Sequence, residues 1–329
     1  MKNIIYFLYF IKTTDYRQLT NDLKRVRQEI NKPVFKILWH MIRVSLKYKA
    51  SFKDYTRLKF YRMKDMDINS YVTTGRLYEF HTSMNKRKHI DFFRNKKKFN
   101  DTFKKYIGRE YRFLDKKEDV NIAHWLLKKD CIIAKPTLGV SGLGIERIIV
   151  KEWPDISLLL EYLRSKKLEL LEECIQQHGK MKQINPTSVN SIRIVTVQYD
   201  QQVDIISAVL RIGVNKHVDN FSAGGIAAPV DVKTGIVFRP AVTQMGNDVF
   251  ERHPVTNTQI LGFKIPFWED IIRMIDEAAW VVPEIRTVGW DIAVTEIGPV
   301  IIEGNDNWNK YAFQIPYGKG MQHILNRYL

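Results

Sequence analysis

The sequence is poor in cysteine, with only Cys131 and Cys174 among 329 residues. Two cysteines build no disulfide framework, and their scarcity fits a reducing compartment. Long apolar runs are also missing. The longest near the N-terminus is Ile4 to Ile11, far short of the ~20 residues a membrane-spanning helix needs. Lys12-Thr13-Thr14-Asp15 follows it with no small-residue cleavage site. The run is therefore expected to be a short buried or interfacial segment, not a secretory signal. No glycine precedes Gly75, which excludes a nucleotide-binding βαβ unit there. Internal repeats and low-complexity tracts are absent. The eight histidines are scattered and form no zinc-type cluster. Acidic residues are scarce in the first third. Residues 1–112 hold 28 Lys+Arg against 10 Asp+Glu, a net of +18, whereas residues 113–329 hold 24 against 26, a net of −2. The basic character that would suggest nucleic acid is confined to that first third.

What is present divides the chain by texture. Hydrophobic residues make up 45%, enough for a sizeable core. Residues 1–90 read as a helical, basic region, with apolar residues such as Ile37, Met41, Val44 and Tyr48 near helical spacing and Pro33 starting a helix. Aromatics interleave with Lys and Arg throughout, which suits either an interfacial helix or a solvated basic face around a helical core. A helix is expected over about residues 98–107. After Asp115, short β-branched runs appear: Cys131–Lys135, Glu146–Val150, Leu168–Glu173, Ser191–Tyr199, Val203–Gly213, Gly225–Val232, Gly235–Val242, Val288–Thr295 and Val300–Asn305. Amphipathic helices near Asp155–Ser165 and Phe267–Val281 interrupt them. The pattern predicts an α+β fold with antiparallel sheets.

Four features carry chemistry. Lys135 ends a strand before a loop with Gly139, Gly142 and Gly144. Glycines let backbone N–H groups approach phosphate, and Lys135 reaches the same oxygens as a point charge. The loop is neither a Walker A loop nor a dinucleotide fingerprint, since no Gly-Lys-Ser/Thr and no helix follow. Second, the strand exit at Glu172-Glu173 offers a carboxylate to a ribose or an adenine amino group, or is simply a solvated strand end. Third, Arg193 and Arg211 sit inside apolar strands, Arg193 on the face of Val195 and Val197. Each needs an anionic partner there, either a structural carboxylate or a bound anion. Fourth, Val288–Thr295 and Val300–Asn305 form a hairpin. A three-residue loop, Glu296 to Gly298, would set Asp291 opposite Glu303, with Asn305 on the same face. Two carboxylates and an amide oxygen are hard ligands suited to Mg²⁺ on nucleotide phosphates.

Taken in order over residues 95–329, these pieces resemble the ATP-grasp superfamily. Val189-Asn190-Ser191-Ile192-Arg193, Leu210-Arg211-Ile212-Gly213, Asp219-Asn220-Phe221-Ser222-Ala223-Gly224-Gly225 and Val288-Gly289-Trp290-Asp291 are similar to its sugar-transfer-associated group, found with surface-polysaccharide genes. The resemblance implies two α+β lobes gripping ATP, about 91–173 and 174–329, preceded by the helical region 1–90. It implies that Lys96 and Lys135 contact phosphates under the loop Gly139, Ser141, Gly142 and Gly144. Glu172, Glu173 and Ile175 would lie at the adenine hinge and His178 near the ribose. Arg193 and Arg211 would stabilise the transferring phosphoryl group, and Asp291, Glu303 and Asn305 would hold one or two Mg²⁺. Asp219, Asn220, Gly224 and Gly225 would line the acceptor site. The implied reaction is Mg-ATP-dependent ligation of a carboxylate to an amine or thiol through an acyl phosphate, in surface or capsular polysaccharide biosynthesis. An ATP-grasp phosphotransferase is the alternative. A non-enzymatic binder of an anionic surface or nucleic acid would leave the strand carboxylates unexplained. The expected partners are ATP, a small carboxylate, an amine or glycan-precursor acceptor, and an anionic membrane surface for the basic region, with no nucleic acid. The expected location is cytoplasmic, including the inner membrane face.

Overall fold

The computed structural model describes residues 2–114, 119–137, 144–214, 221 and 224–329. Two antiparallel sheets carry the strands. The smaller orders β1 (Tyr111–Phe113), β4 (Leu170–Glu173), β2 (Cys131–Lys135) and β3 (Glu146–Ile149) side by side. Helices Asp119–Leu127 and Ile156–Ser165 pack on it through Ile122, Leu126, Leu159 and Leu163, which meet Ile132, Ala134 and Leu171 of the strands. By alternation the opposite face carries Ile133, Lys135, Leu170 and Glu172. The larger sheet runs β11 (Gly298–Asn305), β10 (Thr287–Thr295), β5 (Ser191–Tyr199), β6 (Gln202–Ile212), β7 (Ile226–Pro229), β8 (Ala241–Thr243) and β9 (Val249–Phe250). Its core face holds Ile192, Ile194, Trp290 and Ile292 against helix Trp268–Ala279 and the aromatics Phe93, Phe99 and Phe103. The predicted α+β class is observed.

The N-terminal helices α1 (Lys2–Thr13), α2 (Tyr16–Ile30) and α3 (Val34–Tyr48) share a core around Val26, Ile37, Met41 and Val44. Asp15 caps α2, accepting from the Arg17 and Gln18 N–H groups. This region is fastened to the C-terminal tail. Buried Asp54 accepts from Tyr311 Oη at 2.8 Å and pairs with Lys310 at 3.1 Å. It also accepts from the Thr74 N–H and Oγ1. Gln314 makes a two-way amide pair with the Val72 backbone, at 3.0 and 2.9 Å. Among the described residues, no helix is long and apolar enough to cross a membrane.

Three sequence expectations are corrected. Cys131 and Cys174 form a disulfide, because β2 and β4 are neighbours and bring their Cα atoms to 5.9 Å. The expected helix over 98–107 is two short helices, Lys96–Thr102 and Lys104–Ile107, broken at Phe103. Gly235–Val242 is a strand only from Ala241. Gly235 takes a left-handed φ of +71° in a turn pressed against Trp268, where a Cβ would lie 2.4 Å from the indole.

Candidate active site

The β10–β11 hairpin positions the carboxylates. Its turn is two residues, Glu296 and Ile297, closed by the Thr295–Gly298 pair. That register alone would set Asp291 opposite Ile302. A β-bulge after Ile301 inserts one extra residue, Ile302, and restores Asp291 opposite Glu303. The bulge also solves a parity problem. Ile301 and Glu303 would share a face in a regular strand, yet Ile301 enters the core while Glu303 and Asn305 line the site side. The expected pairing is present, with a shorter turn and the bulge in place of a three-residue loop.

Asp291 is also in register with Arg193 on β5. The guanidinium grips it through Nε at 2.5 Å and Nη2 at 2.8 Å. Arg211 Nη2 lies 3.2 Å from the same carboxylate, and its guanidinium also donates to Ser191 Oγ. Burial opposes ionisation of Asp291, but Arg193 and Arg211 outweigh it and hold the carboxyl down to about 2. Burial, and then the charge of Asp291, push Glu303 up. Asn305 Nδ2 donates to Glu303 Oε1 at 3.2 Å. Gly289 lets this cluster close: a Cβ there would lie 2.6 Å from the Trp308 Cβ and 3.4 Å from Arg193 Cδ.

A second ionic cluster comes from the small sheet. Lys135 Nζ donates to Glu172 Oε2 at 2.5 Å. Glu172 Oε1 accepts from Arg109 Nη2 at 2.9 Å and Asn100 Nδ2 at 3.0 Å. Burial works against the Glu172 charge, but Arg109 and Lys135 prevail and hold the carboxyl well below the usual range. Arg109 also donates to the carbonyls of Ile301 (2.9 Å) and Ile302 (3.3 Å) at the bulge. One guanidinium thus links the Lys135–Glu172 pair to the strand distortion that aims Glu303. Lys96 Nζ donates to the Pro136 carbonyl at 3.0 Å. Burial first, then the nearby Lys135, lower its pKa, while Glu303 and Glu172 oppose this. Lys96, Lys135, Glu303 and Asp291 therefore form one neighbourhood across the two sheets.

Other candidates fall elsewhere. Glu173 points away from Glu172 and pairs with Lys129 at 2.9 Å. His178 Nδ1 accepts from the Lys180 N–H, and Nε2 lies 3.6 Å from Glu296 at the hairpin turn. Ile175 follows the disulfide-bonded Cys174 on the exit from β4. Gly144 returns the β2–β3 connection with a φ of +74° against Pro136. Gly224 has a φ of +101° just before Gly225 and β7. Gly139, Ser141, Gly142, Asp219 and Asn220 lie outside the described residues. Arg109 and Asn100 escaped the sequence reading. The signal for a hidden cation was there, because alternation buries Glu172 beside Lys135 and a buried carboxylate demands charged partners. Among the described residues no three His, Cys, Asp or Glu side chains gather as a metal cluster. The oxygen set is thus two carboxylates and an amide, and the repulsion felt by Glu303 is what a divalent cation would relieve.

No curated protein matches the chain. Solved structures that the chain matches include the ATP-grasp ligase PsnB complexed with minimal precursor, 12% identical with a TM-score of 0.44, covering 74% of this chain and 61% of that one. D-Alanine-D-alanine ligase from Helicobacter pylori is 12% identical with a TM-score of 0.42, covering 72% and 59%. The L-amino acid ligase from Bacillus licheniformis is 14% identical with a TM-score of 0.40, covering 66% and 41%. The chain thus spans less than two thirds of the length of each of these ligases. The family model for sugar-transfer associated ATP-grasp proteins matches residues 76–328. By that match, over a fold of two antiparallel sheets with their ionic clusters side by side, the chain belongs to the sugar-transfer associated ATP-grasp family.

Proposed function

We propose that the chain is an ATP- and Mg²⁺-dependent ligase that activates a carboxylate for capture by an amine or thiol, acting on a surface or capsular polysaccharide precursor. The observation that carries this reading is the in-register Asp291–Glu303 pair, flanked by Arg193 and Arg211 and neighboured by Lys96 and Lys135. In this reading residues 91–173 and 174–329 are the gripping lobes and 1–90 is an attached helical region. ATP binds between the lobes, its adenine near Glu173 and Ile175 and its ribose near His178. Lys135, held by Glu172, and Lys96 face its phosphates under the loop from Gly139 to Gly144, with Ser141 and Gly142 at its centre. Asp291, Glu303 and Asn305 hold one or two Mg²⁺, which neutralise phosphate charge when bound.

A substrate carboxylate oxygen attacks the γ-phosphorus. The bond to the bridging oxygen breaks, ADP leaves, and an acyl phosphate forms. Arg193 and Arg211 offset charge on the transferring group. The acceptor nitrogen then attacks the acyl carbon, inorganic phosphate leaves, and the nitrogen loses a proton to solvent. Asp219, Asn220, Gly224 and Gly225 orient that acceptor, a small amine or a glycan precursor. Positioning and charge neutralisation supply the catalysis, so no Ser-His-Asp or Cys-His set is required. The need for ATP, not the cysteine count, places the chain in the cytoplasm in this reading, despite the Cys131–Cys174 disulfide, its basic N-terminal region attached to an anionic inner membrane face, with no nucleic-acid partner.

The test supplies ATP and Mg²⁺ with a panel of amino acids and sugar acids, using hydroxylamine as the trapping nucleophile. Carboxylate-dependent ADP release with a hydroxamate product by mass spectrometry is expected. A phosphate ester that hydroxylamine leaves intact would make the protein a phosphotransferase instead.

A further inference from the structure

The N-terminal region has apolar residues on two sides of its first and third helices. One side fills the core: Phe10 from α1, and Ile37, Met41 and Val44 from α3 are buried. The other side faces outward. On α1, Ile4, Ile5 and Leu8 are 55%, 66% and 58% exposed, and on α3, Phe35, Trp39 and Ile42 are 68%, 66% and 38% exposed. Each set recurs at helical spacing, so each forms a stripe. The helices are packed together, with Asn3 Nδ2 donating to the Leu46 carbonyl at 2.8 Å. Among the described residues, nine of the twenty-four exposed large hydrophobics fall within the first 42 positions, about an eighth of the chain. Scattered exposure is ordinary in a protein, but concentration on paired helices marks a docking face.

The charge around these stripes decides what docks. Neither α1 nor α3 contains an Asp or Glu. Lys2, Lys12, Lys32 and Lys36 are exposed on or beside the two helices. Acidic groups from other elements do reach the helices, but Asp65 is paired with Arg43 and Lys47 and Glu79 with Lys49, so the rim is cationic on balance, which complements a sheet of phosphates. Trp39 and Tyr9 have the amphipathic character suited to the headgroup layer. The helices are too short to span, with 12 and 15 residues.

We infer that the α1–α3 face lies flat in the headgroup region of an anionic bilayer, inserting Ile4, Ile5, Leu8, Phe35, Trp39 and Ile42 while the lysines meet lipid phosphates. This inference rests on the attachment reading above and names its surface. It is independent of the ligase chemistry, which is measured without vesicles.

The test is co-sedimentation of the full chain with phosphatidylcholine vesicles and with phosphatidylcholine–phosphatidylglycerol vesicles, alongside gel filtration. The variants are Leu8→Glu/Trp39→Glu and, as a control at a distant exposed apolar site, Val255→Glu. The wild type and Val255→Glu are expected to bind the anionic vesicles, and the double variant to bind at least about tenfold more weakly, with unchanged thermal unfolding. Equal binding of the double variant would overturn the face while leaving attachment through other basic residues. Absence of wild-type binding would overturn attachment altogether. A dimer that the double variant dissolves, with no vesicle binding, would overturn the lipid assignment and make a second copy of the chain the occupant.

Discussion

Replacing Glu172 by Gln removes the charge at the centre of the small-sheet cluster. Glu172 accepts from Lys135 at 2.5 Å and Arg109 at 2.9 Å, and all three side chains are nearly inaccessible. Breaking a buried ion pair from one side costs roughly 3–5 kcal/mol, because the partner charges stay buried. Gln keeps one acceptor oxygen, so the low end, about 3 kcal/mol, is expected. Lys135→Met relieves part of this, since one stranded cation goes with it. The coupling between positions 172 and 135 should be about 1–3 kcal/mol. Equilibrium urea unfolding of wild type, both single variants and the double variant gives these values, provided fluorescence and circular dichroism transitions coincide. The pH dependence has a definite sign. The folded carboxyl is held below its unfolded value. Its contribution is therefore complete above about pH 4.3, and is lost as pH falls through the depressed folded value. The gap between wild type and Glu172→Gln should be flat from about pH 8 to 5 and should narrow only below about pH 4. A cost under about 1 kcal/mol, or a gap that widens in acid, would refute the cluster.

Gly289→Ala drives a Cβ into Trp308 and toward Arg193, and should destabilise by about 1–3 kcal/mol, read as a lower melting temperature. Asp54→Asn strips the charge that anchors Lys310 and should expose the region before residue 70 to limited proteolysis faster than wild type. Reducing Cys131–Cys174, 43 residues apart, should lower stability by up to about 4 kcal/mol on the chain-entropy account. Urea unfolding with and without a dithiol reductant measures it, with Cys131→Ser/Cys174→Ser as the reductant-insensitive control.

Much of this was legible in the sequence where local pattern decides structure. Cys131–Lys135 and Ser191–Tyr199 are strands at their expected bounds, because alternation and β-branching suffice there. The Asp291–Glu303 pairing was legible, but the bulge at Ile302 was not. A bulge is stabilised by what satisfies its carbonyls, here Arg109, and that contact joins residues almost 200 positions apart. Long-range contact likewise hid the Asp54–Lys310 anchor, and even the disulfide, only 43 residues apart, depends on which strands become neighbours. The strand arginines illustrate the opposite case. Their need for an anion was plain from burial, and the partner present is Asp291, one of the residues assigned to the metal. The basic first third also takes on a definite form, as cations around exposed apolar stripes on α1 and α3.

Calorimetric titration of ATP with and without Mg²⁺ reads out whether Asp291 and Glu303 bind ATP through Mg²⁺, as proposed. Wild type should bind with Mg²⁺ and lose most of that affinity without it. Asp291→Ala and Glu303→Ala should each weaken Mg²⁺-dependent binding at least tenfold, about 1.4 kcal/mol or more, while circular dichroism shows them folded. Wild-type affinity in both variants, still dependent on Mg²⁺, would contradict that proposal.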